Sequence, residues 1–187
     1  GNFVCVGLDP DPEQMPATKG VGMLAAAAAA EAVRTFCKNV IEDTRGIAAA
    51  YKPNIAFFER WGSKGWATLE WLVTYIRLSA PNAIVILDAK REDIGNSARF
   101  YAGMAFDHLK VDAVTAGPYL GVDSYGEFLK DPERGCFLLC RTSNKSAGEF
   151  QDVRGFAGNE LLFHRVARHI AELRRETPNL GAVVGAT

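Results

Sequence analysis

Short apolar segments alternate along the chain with longer segments in which apolar residues recur at helical spacing. The apolar segments are predicted to be β-strands: Phe3–Leu8, Gly46–Tyr51, Ala83–Leu87, Val111–Thr115, Cys136–Arg141 and Gly181–Ala186. The amphipathic segments between them are predicted to be helices: Met23–Thr44, Trp66–Ser79, Asn96–Leu109, Ser124–Lys130 and Glu160–Glu176. This alternation indicates an α/β fold with βα units and a parallel sheet. Right-handed connections leave two architectures open, a doubly wound open sheet and a (β/α)₈ barrel.

Two segments of this pattern need separate interpretation. The alanine run Ala25–Ala30 is predicted to be a weakly packed first turn, because larger apolar residues begin only at Val33. The polar, glycine-containing segment Ser143–Gln151 is predicted to be a mobile active-site loop or lid. Neither segment divides the pattern, and 187 residues suit one domain, so residues 1–187 are predicted to form a single domain.

Composition and charge exclude several classes of protein. The chain carries 21 Lys and Arg against 22 Asp and Glu, whereas nucleic-acid binders usually carry a basic excess. No apolar run approaches the roughly 20 residues that span a bilayer, and the first residues lack the features of a signal peptide. We therefore expect a protein that binds neither nucleic acid nor membrane.

The cysteines indicate a reducing compartment. Cys136 and Cys140 are predicted to share one face of a strand, with Cα atoms roughly 13 Å apart, too far for a disulfide. Cys5 and Cys37 form no Cys-x-x-Cys pair with any other cysteine. We predict buried, reduced thiols and a cytoplasmic protein.

Charged and polar residues directly follow several of the predicted strands. They are Asp9, Lys52, Asn54, Asp88, Lys90, Asp93, Thr142 and Ser143. The carboxyl ends of parallel strands converge on one face of barrels and open sheets alike, and that face holds their ligand sites. The sequence therefore predicts a charged site at the strand ends.

Some of these residues alternate in charge. Asp88 and Lys90 are two positions apart, so their side chains leave an extended strand on the same side. Lys52 from the neighbouring strand and Asp93 from the loop that follows extend the alternation on either side. Each charge is then stabilised by its neighbours, and Lys90 stays protonated and able to act as an acid.

The segment from Asp88 to Ser97, DAKREDIGNS, resembles the D-x-K-x-x-D-I-x-N-[TS] signature of the orotidine 5′-monophosphate decarboxylase family. VGLDPD at positions 6–11, YKPNIAF at 51–57 and RTSN at 141–144 resemble the same family's first, second and fifth strands, in the branch typical of many bacteria and some protists. The resemblance implies a (β/α)₈ barrel and a lyase that decarboxylates orotidine 5′-monophosphate to uridine 5′-monophosphate in pyrimidine biosynthesis. It implies no metal and no organic cofactor.

The resemblance also implies roles for the residues of the charged cluster. Lys90 would donate a proton to C6 of the pyrimidine after carbon dioxide leaves. Asp88 would lie against the substrate carboxylate and order Lys90. Lys52 would complete the charge array and contact the ribose. Asp9 would hold a ribose hydroxyl, and Asn54 would lie near the ribose-phosphate.

The remaining site residues implied by the resemblance belong to a shared site and to base recognition. Asp93, Ile94 and Ser97 would reach into the site of a neighbouring subunit, which implies a homodimer. Thr142 and Ser143 would recognise the edge of the pyrimidine.

The chain differs from the resembled family at its end. A complete barrel has eight strands, and only about six βα units are predicted here, so the phosphate-binding residues are expected beyond Thr187 and the chain is expected to be a fragment. Two other interpretations stay open: a magnesium-dependent sugar-phosphate decarboxylase or aldolase-like barrel, and a non-catalytic truncated barrel. The magnesium-dependent relatives carry an acidic residue at the position of Lys52, so this lysine favours the orotidine 5′-monophosphate decarboxylase interpretation.

Overall fold

Strands and helices alternate along the chain in two compact units. The structure, a computed structural model, describes residues 3–19, 25–155 and 159–185. The first unit comprises Gly1–Ala89 and Leu109–Val111, and the second comprises Lys90–His108 and Asp112–Thr187. The ends of the predicted segments at Met23 and Ala186 lie outside the described residues.

The first unit is built on parallel strands in sequence order. Its elements are β1 (Cys5–Leu8), α1 (Ala26–Thr44), β2 (Ala50–Pro53), α2 (Ala56–Glu59), α3 (Gly62–Ser79) and β3 (Ile84–Arg91), of which β3 continues into the second unit. Gly7 pairs with Lys52, and Tyr51 pairs with Val85. This register sets the ends of β1 and β2 side by side.

Helical spacing explains the core of the first unit. Val33, Cys37 and Ile41, at four-residue intervals on α1, are buried, and α1 packs on α3. On α3, Leu69, Leu72, Val73 and Ile76 are buried. Each such side chain contributes roughly 1.5–3 kcal/mol by leaving water. Ala29 is the buried residue of the alanine run, so small side chains begin this stripe, and larger ones take over at Val33.

The second unit repeats the same arrangement. It contains the end of β3, α4 (Gly95–Ala102) with a π-helical extension over Gly103–His108, β4 (Ala113–Ala116), α5 (Val122–Tyr125) with a 3₁₀ turn over Gly126–Leu129, β5 (Gly135–Arg141), a 3₁₀ turn over Lys145–Ala147, α6 (Gly148–Gln151), α7 (Leu162–Leu173) and β6 (Leu180–Val184). β4 and β5 are parallel, as are β5 and β6. Within the described residues, every strand that the sequence predicts is present, but β2 begins at Ala50 rather than Gly46 and extends past Tyr51 to Pro53.

The structure corrects several local predictions. Ser143–Gln151 is largely helical rather than a loop, because the 3₁₀ turn and α6 occupy Lys145–Gln151. The short helix α2 was not predicted, because four residues are too few to show a period. β3 continues past Leu87 to Arg91, since the Ile55 N–H donates to the carbonyl of Asp88 and the Gly117 N–H donates to that of Arg91.

The prediction of buried thiols is wrong at one position. All four cysteines are free, and Cys37, Cys136 and Cys140 are buried, but Cys5 is exposed. Cys136, Leu138 and Cys140 share the buried face of β5, as the alternation predicted. Among the described residues no helix has the length and apolar character to span a bilayer.

Candidate active site

An ion pair joins two of the predicted site residues in the first unit. The Lys52 ammonium donates to Oδ2 of Asp88 at 2.9 Å. Lys52 belongs to β2 and Asp88 to β3, which are parallel, and Asn54 forms a backbone bridge with Asp88. The Asp88 side chain is 10% exposed and that of Lys52 32%, so a buried carboxylate faces an ammonium that still reaches solvent.

The surroundings of Lys52 favour its charged form. Burial alone would lower the pKa of Lys52, but its hydrogen bond to Asp88 and the negative charges of Asp88 and Asp9 outweigh the effect of burial, so the pKa lies above its ordinary value. Lys52 is therefore a fixed cation at neutral pH. A fixed positive charge beside a buried carboxylate is suited to binding or transforming an anion.

Asp9 and Asn54 lie at the ends of β1 and β2 in the same unit. Asp9 is exposed and borders a cleft of about 320 Å³, which Asp11, Gln14 and Phe57 also line. The Asn54 N–H donates to the carbonyl of Leu8 at 3.3 Å, and its side-chain oxygen accepts from the Ala56 N–H at 3.2 Å. Asn54 thus joins β1 to the start of α2.

Lys90 and the residues that follow it belong to the second unit. Lys90 is exposed and has a left-handed backbone, with φ of 47°. Its N–H donates to the hydroxyl of Thr115 at 3.0 Å. Asp93 lies beyond the end of β3, where its Oδ1 accepts from the Ile94 N–H at 2.8 Å. Ile94 and Ser97, at the start of α4, are exposed.

Thr142, directly after β5, is held by Gln151 of α6. Oε1 of Gln151 accepts from the Thr142 N–H at 2.8 Å, and Nε2 of Gln151 donates to the Thr142 hydroxyl at 2.7 Å. Arg141 reinforces the same turn through two contacts of its guanidinium with the carboxylate of Asp152, both at 3.2 Å. The backbone and hydroxyl of Thr142 are therefore fixed together.

Ser143 is exposed beside the end of β6. The Gly185 N–H donates to the carbonyl of Arg141 at 2.7 Å. A Cβ on Gly185 would lie 2.9 Å from the Ser143 nitrogen, so a side chain at that position would push the segment away. Glycine at position 185 allows the close approach.

Comparison with known proteins gives the family. The family model described as "Orotidine 5'-phosphate decarboxylase / HUMPS family" matches residues 2–187. The chain belongs to this family.

Similar proteins include a bacterial relative and two solved structures from a protist. The chain is 45% identical over 186 residues to a curated orotidine 5′-phosphate decarboxylase of Roseiflexus, covering 100% of this chain and 64% of the relative. The structure of Leishmania donovani OMP decarboxylase matches with a TM-score of 0.82 at 41% identity, covering 98% of this chain and 65% of that chain. The structure of Leishmania donovani UMP synthase matches with a TM-score of 0.84 at 40% identity, covering 100% of this chain and 37% of that chain.

These relatives confirm the predicted family and fold class, a (β/α)₈ barrel of which this chain holds part. The chain spans about 64% of the length of its curated relative from Roseiflexus. The described residues contain the parallel strands β1 to β6, matching the prediction of about six βα units.

The structure brings together part of the predicted cluster. Lys52 and Asp88 form the expected ion pair, whereas Lys90 and Asp93 belong to the second unit and the full alternating array stays a prediction. Sequence reasoning missed Thr115 and Gln151. Thr115 is a single hydroxyl in an apolar strand, and Gln151 reaches Thr142 only because α6 folds back over nine residues. A polar residue inside an apolar strand was the one available signal.

Proposed function

We propose that the protein containing this chain decarboxylates orotidine 5′-monophosphate to uridine 5′-monophosphate without a metal or an organic cofactor. The observation that carries this proposal is the Lys52–Asp88 ion pair at the first residue of the family signature, which extends from Asp88 to Ser97. The family match over residues 2–187 and the names of its relatives support it.

The proposed chemistry relies on positioned charge. Loss of carbon dioxide leaves an electron pair at C6 of the pyrimidine, and with no cofactor to delocalise it the protein must supply positive charge at that atom. In our proposal Lys90 donates a proton to C6, and the electron pair at C6 forms the new C–H bond. Asp88 lies beside the departing carboxylate, and the fixed charge of Lys52 holds Asp88 in place.

Substrate binding is assigned to residues that follow other strands. In our proposal Asp9 accepts a hydrogen bond from a ribose hydroxyl, and Asn54 contacts the ribose-phosphate. Ser143, with Thr142 beside it, offers backbone and hydroxyl groups to the polar edge of the pyrimidine. The two hydrogen bonds between Gln151 and Thr142 support this role, because they fix the turn that carries Ser143, and a preorganised group loses less conformational freedom on binding.

We further propose a cytoplasmic homodimer with shared sites. Asp93, Ile94 and Ser97 would extend into the site of the partner subunit. The exposure of Ile94 and Ser97 supports this proposal, and 53% of the Ile94 surface is open to solvent. Burial of the free thiols of Cys37 and Cys136 is compatible with a reducing compartment.

The test is an absorbance assay for consumption of orotidine 5′-monophosphate by the protein, with and without a chelator. Turnover that a chelator does not change is expected. Turnover that a chelator abolishes would refute the metal-free chemistry. Absence of turnover would refute the proposed activity and leave the sugar-phosphate enzyme and the non-catalytic barrel as the remaining alternatives.

Variants of two lysines sharpen this test. Lys90→Ala is expected to abolish turnover while the protein stays folded, because it removes the proton donor. Lys110→Ala is the matched control, since Lys110 is also exposed and also has a positive φ, 58°. Parent-like turnover in Lys90→Ala would refute the assigned role of Lys90.

A further inference from the structure

The backbone of Lys90 has an unusual conformation for its residue type. Among the residues that the structure describes, the non-glycine residues with positive φ are Lys90, Lys110 and Asn159. Asparagine tolerates this region because its short polar side chain can hydrogen-bond to the nearby backbone, whereas lysine is disfavoured there. Of these residues Lys90 alone belongs to the candidate active site, where strained backbone tends to occur when the surrounding structure enforces it.

The side chain of Thr115 is placed to enforce this conformation. The Lys90 N–H donates to the Thr115 hydroxyl at 3.0 Å, so the partner is a side chain rather than a strand carbonyl. Thr115 is 2% exposed in β4, whose residues are all buried. A β-branched side chain has few rotamers, and tight packing on all sides leaves the hydroxyl little freedom to move.

A backbone hydrogen bond is formed immediately after Lys90. The Gly117 N–H, one residue beyond the end of β4, donates to the carbonyl of Arg91 at 3.1 Å. Lys90 is thus held through its own N–H and through the residue that follows it. The value of φ sets the direction in which Cβ leaves the backbone, so the Thr115 hydrogen bond bears directly on where the lysine side chain is directed.

We propose that Thr115 is a positioning residue for Lys90, whose hydroxyl holds the left-handed backbone of Lys90 and so sets the direction of the proton-donating side chain. This inference rests on the proposed function, in which Lys90 protonates the substrate. It assigns to a buried threonine an effect on the proton-transfer step.

The test compares three threonine variants of the protein. Thr115→Val keeps the shape and removes the hydroxyl, whereas Thr115→Ser keeps the hydroxyl and removes the methyl group. Thr68→Val is the control, because Thr68 is equally buried, at 1% exposed, and its hydroxyl donates to the Lys64 carbonyl within α3. Steady-state kinetics and the exchange rate of the Lys90 amide hydrogen are measured for each variant.

The expected result is a split between kinetic constants. Thr115→Val should lower kcat by about 10- to 100-fold, because small displacements of a catalytic group have effects of that size, while KM changes little. Thr115→Ser should keep kcat close to that of the parent, as should Thr68→Val. The Lys90 amide should exchange faster in Thr115→Val than in the parent.

Two results would overturn the proposal: a parent-like kcat in Thr115→Val, or a loss in Thr115→Ser as large as in Thr115→Val. If Thr115→Val does not fold, Thr115→Cys replaces it, with the same expected loss and the same refuting outcome. If the parent itself does not consume orotidine 5′-monophosphate, the proposed function fails, while unchanged Lys90 amide exchange in the variant separately refutes the role of Thr115.

Discussion

At the scale of single residues, the two members of the Lys52–Asp88 pair differ in how far they depend on each other. The Asp88 carboxylate is buried, and the Lys52 ammonium is partly open to solvent. Removing the lysine takes the counter-charge from a buried anion, whereas removing the carboxylate charge leaves a cation that water can solvate. The two substitutions should therefore have unequal effects on stability.

We expect Lys52→Met to lower the free energy of unfolding by about 1–3 kcal/mol, because it leaves the buried carboxylate without this partner. Asp88→Asn should cost less than about 1 kcal/mol, because water can solvate the Lys52 ammonium that remains. Urea unfolding of the parent and both variants at pH 7 measures the difference. Equal losses in the two variants would contradict the asymmetry.

The same pair predicts a dependence on pH. Because the pKa of Lys52 is higher in the folded protein than in the unfolded chain, its stabilising effect is complete below the ordinary lysine pKa of about 10.4. The effect is then lost as the pH rises through the raised folded value. The difference in unfolding free energy between the parent and Lys52→Met should stay constant from neutral to mildly alkaline pH and shrink in strongly alkaline solution.

At the scale of elements, the start of α3 shows what a local pattern cannot reveal. The segment from Gly62 to Gly65 precedes the predicted helix, which begins at Trp66, yet α3 starts at Gly62. A Cβ on Gly65 would overlap the carbonyl group of Phe58, so glycine is required by the close approach of α2 to α3. That requirement comes from tertiary packing and leaves no periodic signal.

Strands and their polar ends were easier to predict than the segments between them. Apolar runs such as Cys136–Arg141 identify buried strands directly, and Asp88 follows such a run. The turn after β5 depends instead on hydrogen bonds between Thr142 and Gln151, nine residues apart. The composition of this segment predicts a loop, because a polar, glycine-containing stretch carries no helical period.

The helix α6 leads to a prediction about substrate binding. Gln151→Ala should raise the KM for orotidine 5′-monophosphate by roughly fivefold or more, because Thr142 loses two hydrogen bonds, each worth about 1 kcal/mol. Steady-state kinetics measures the change. Glu149→Ala, an exposed position on the same helix, is the control and should leave KM unchanged. An unchanged KM in Gln151→Ala would show that the hydrogen bonds between Gln151 and Thr142 do not contribute to substrate binding.

At the scale of the whole molecule, the proposed homodimer requires residues of two subunits in one site. Lys90→Ala and Asp93→Ala proteins should each be inactive alone. Mixing them under conditions that exchange subunits should restore activity, because a heterodimer contains one site with Lys90 from one chain and Asp93 from the other. A verified heterodimer without activity would show that both residues act within one subunit.

The buried thiols provide a way to ask whether the chain unfolds as one body. Cys37 lies in the first unit and Cys136 in the second, and burial raises the pKa of each to about 12. Neither thiol is therefore reactive toward an alkylating reagent until its surroundings open, when its pKa returns to about 8.5. Alkylation of each cysteine thus reports the opening of the unit that contains it.

If residues 1–187 form a single cooperative domain, alkylation of Cys37 and Cys136 should begin at the same urea concentration and rise in parallel, as measured by mass spectrometry of the labelled peptides. Exposed Cys5 should be modified throughout and serves as the internal reference. Separate midpoints for the two buried cysteines would mean that the units open independently, and labelling would then show which one opens first.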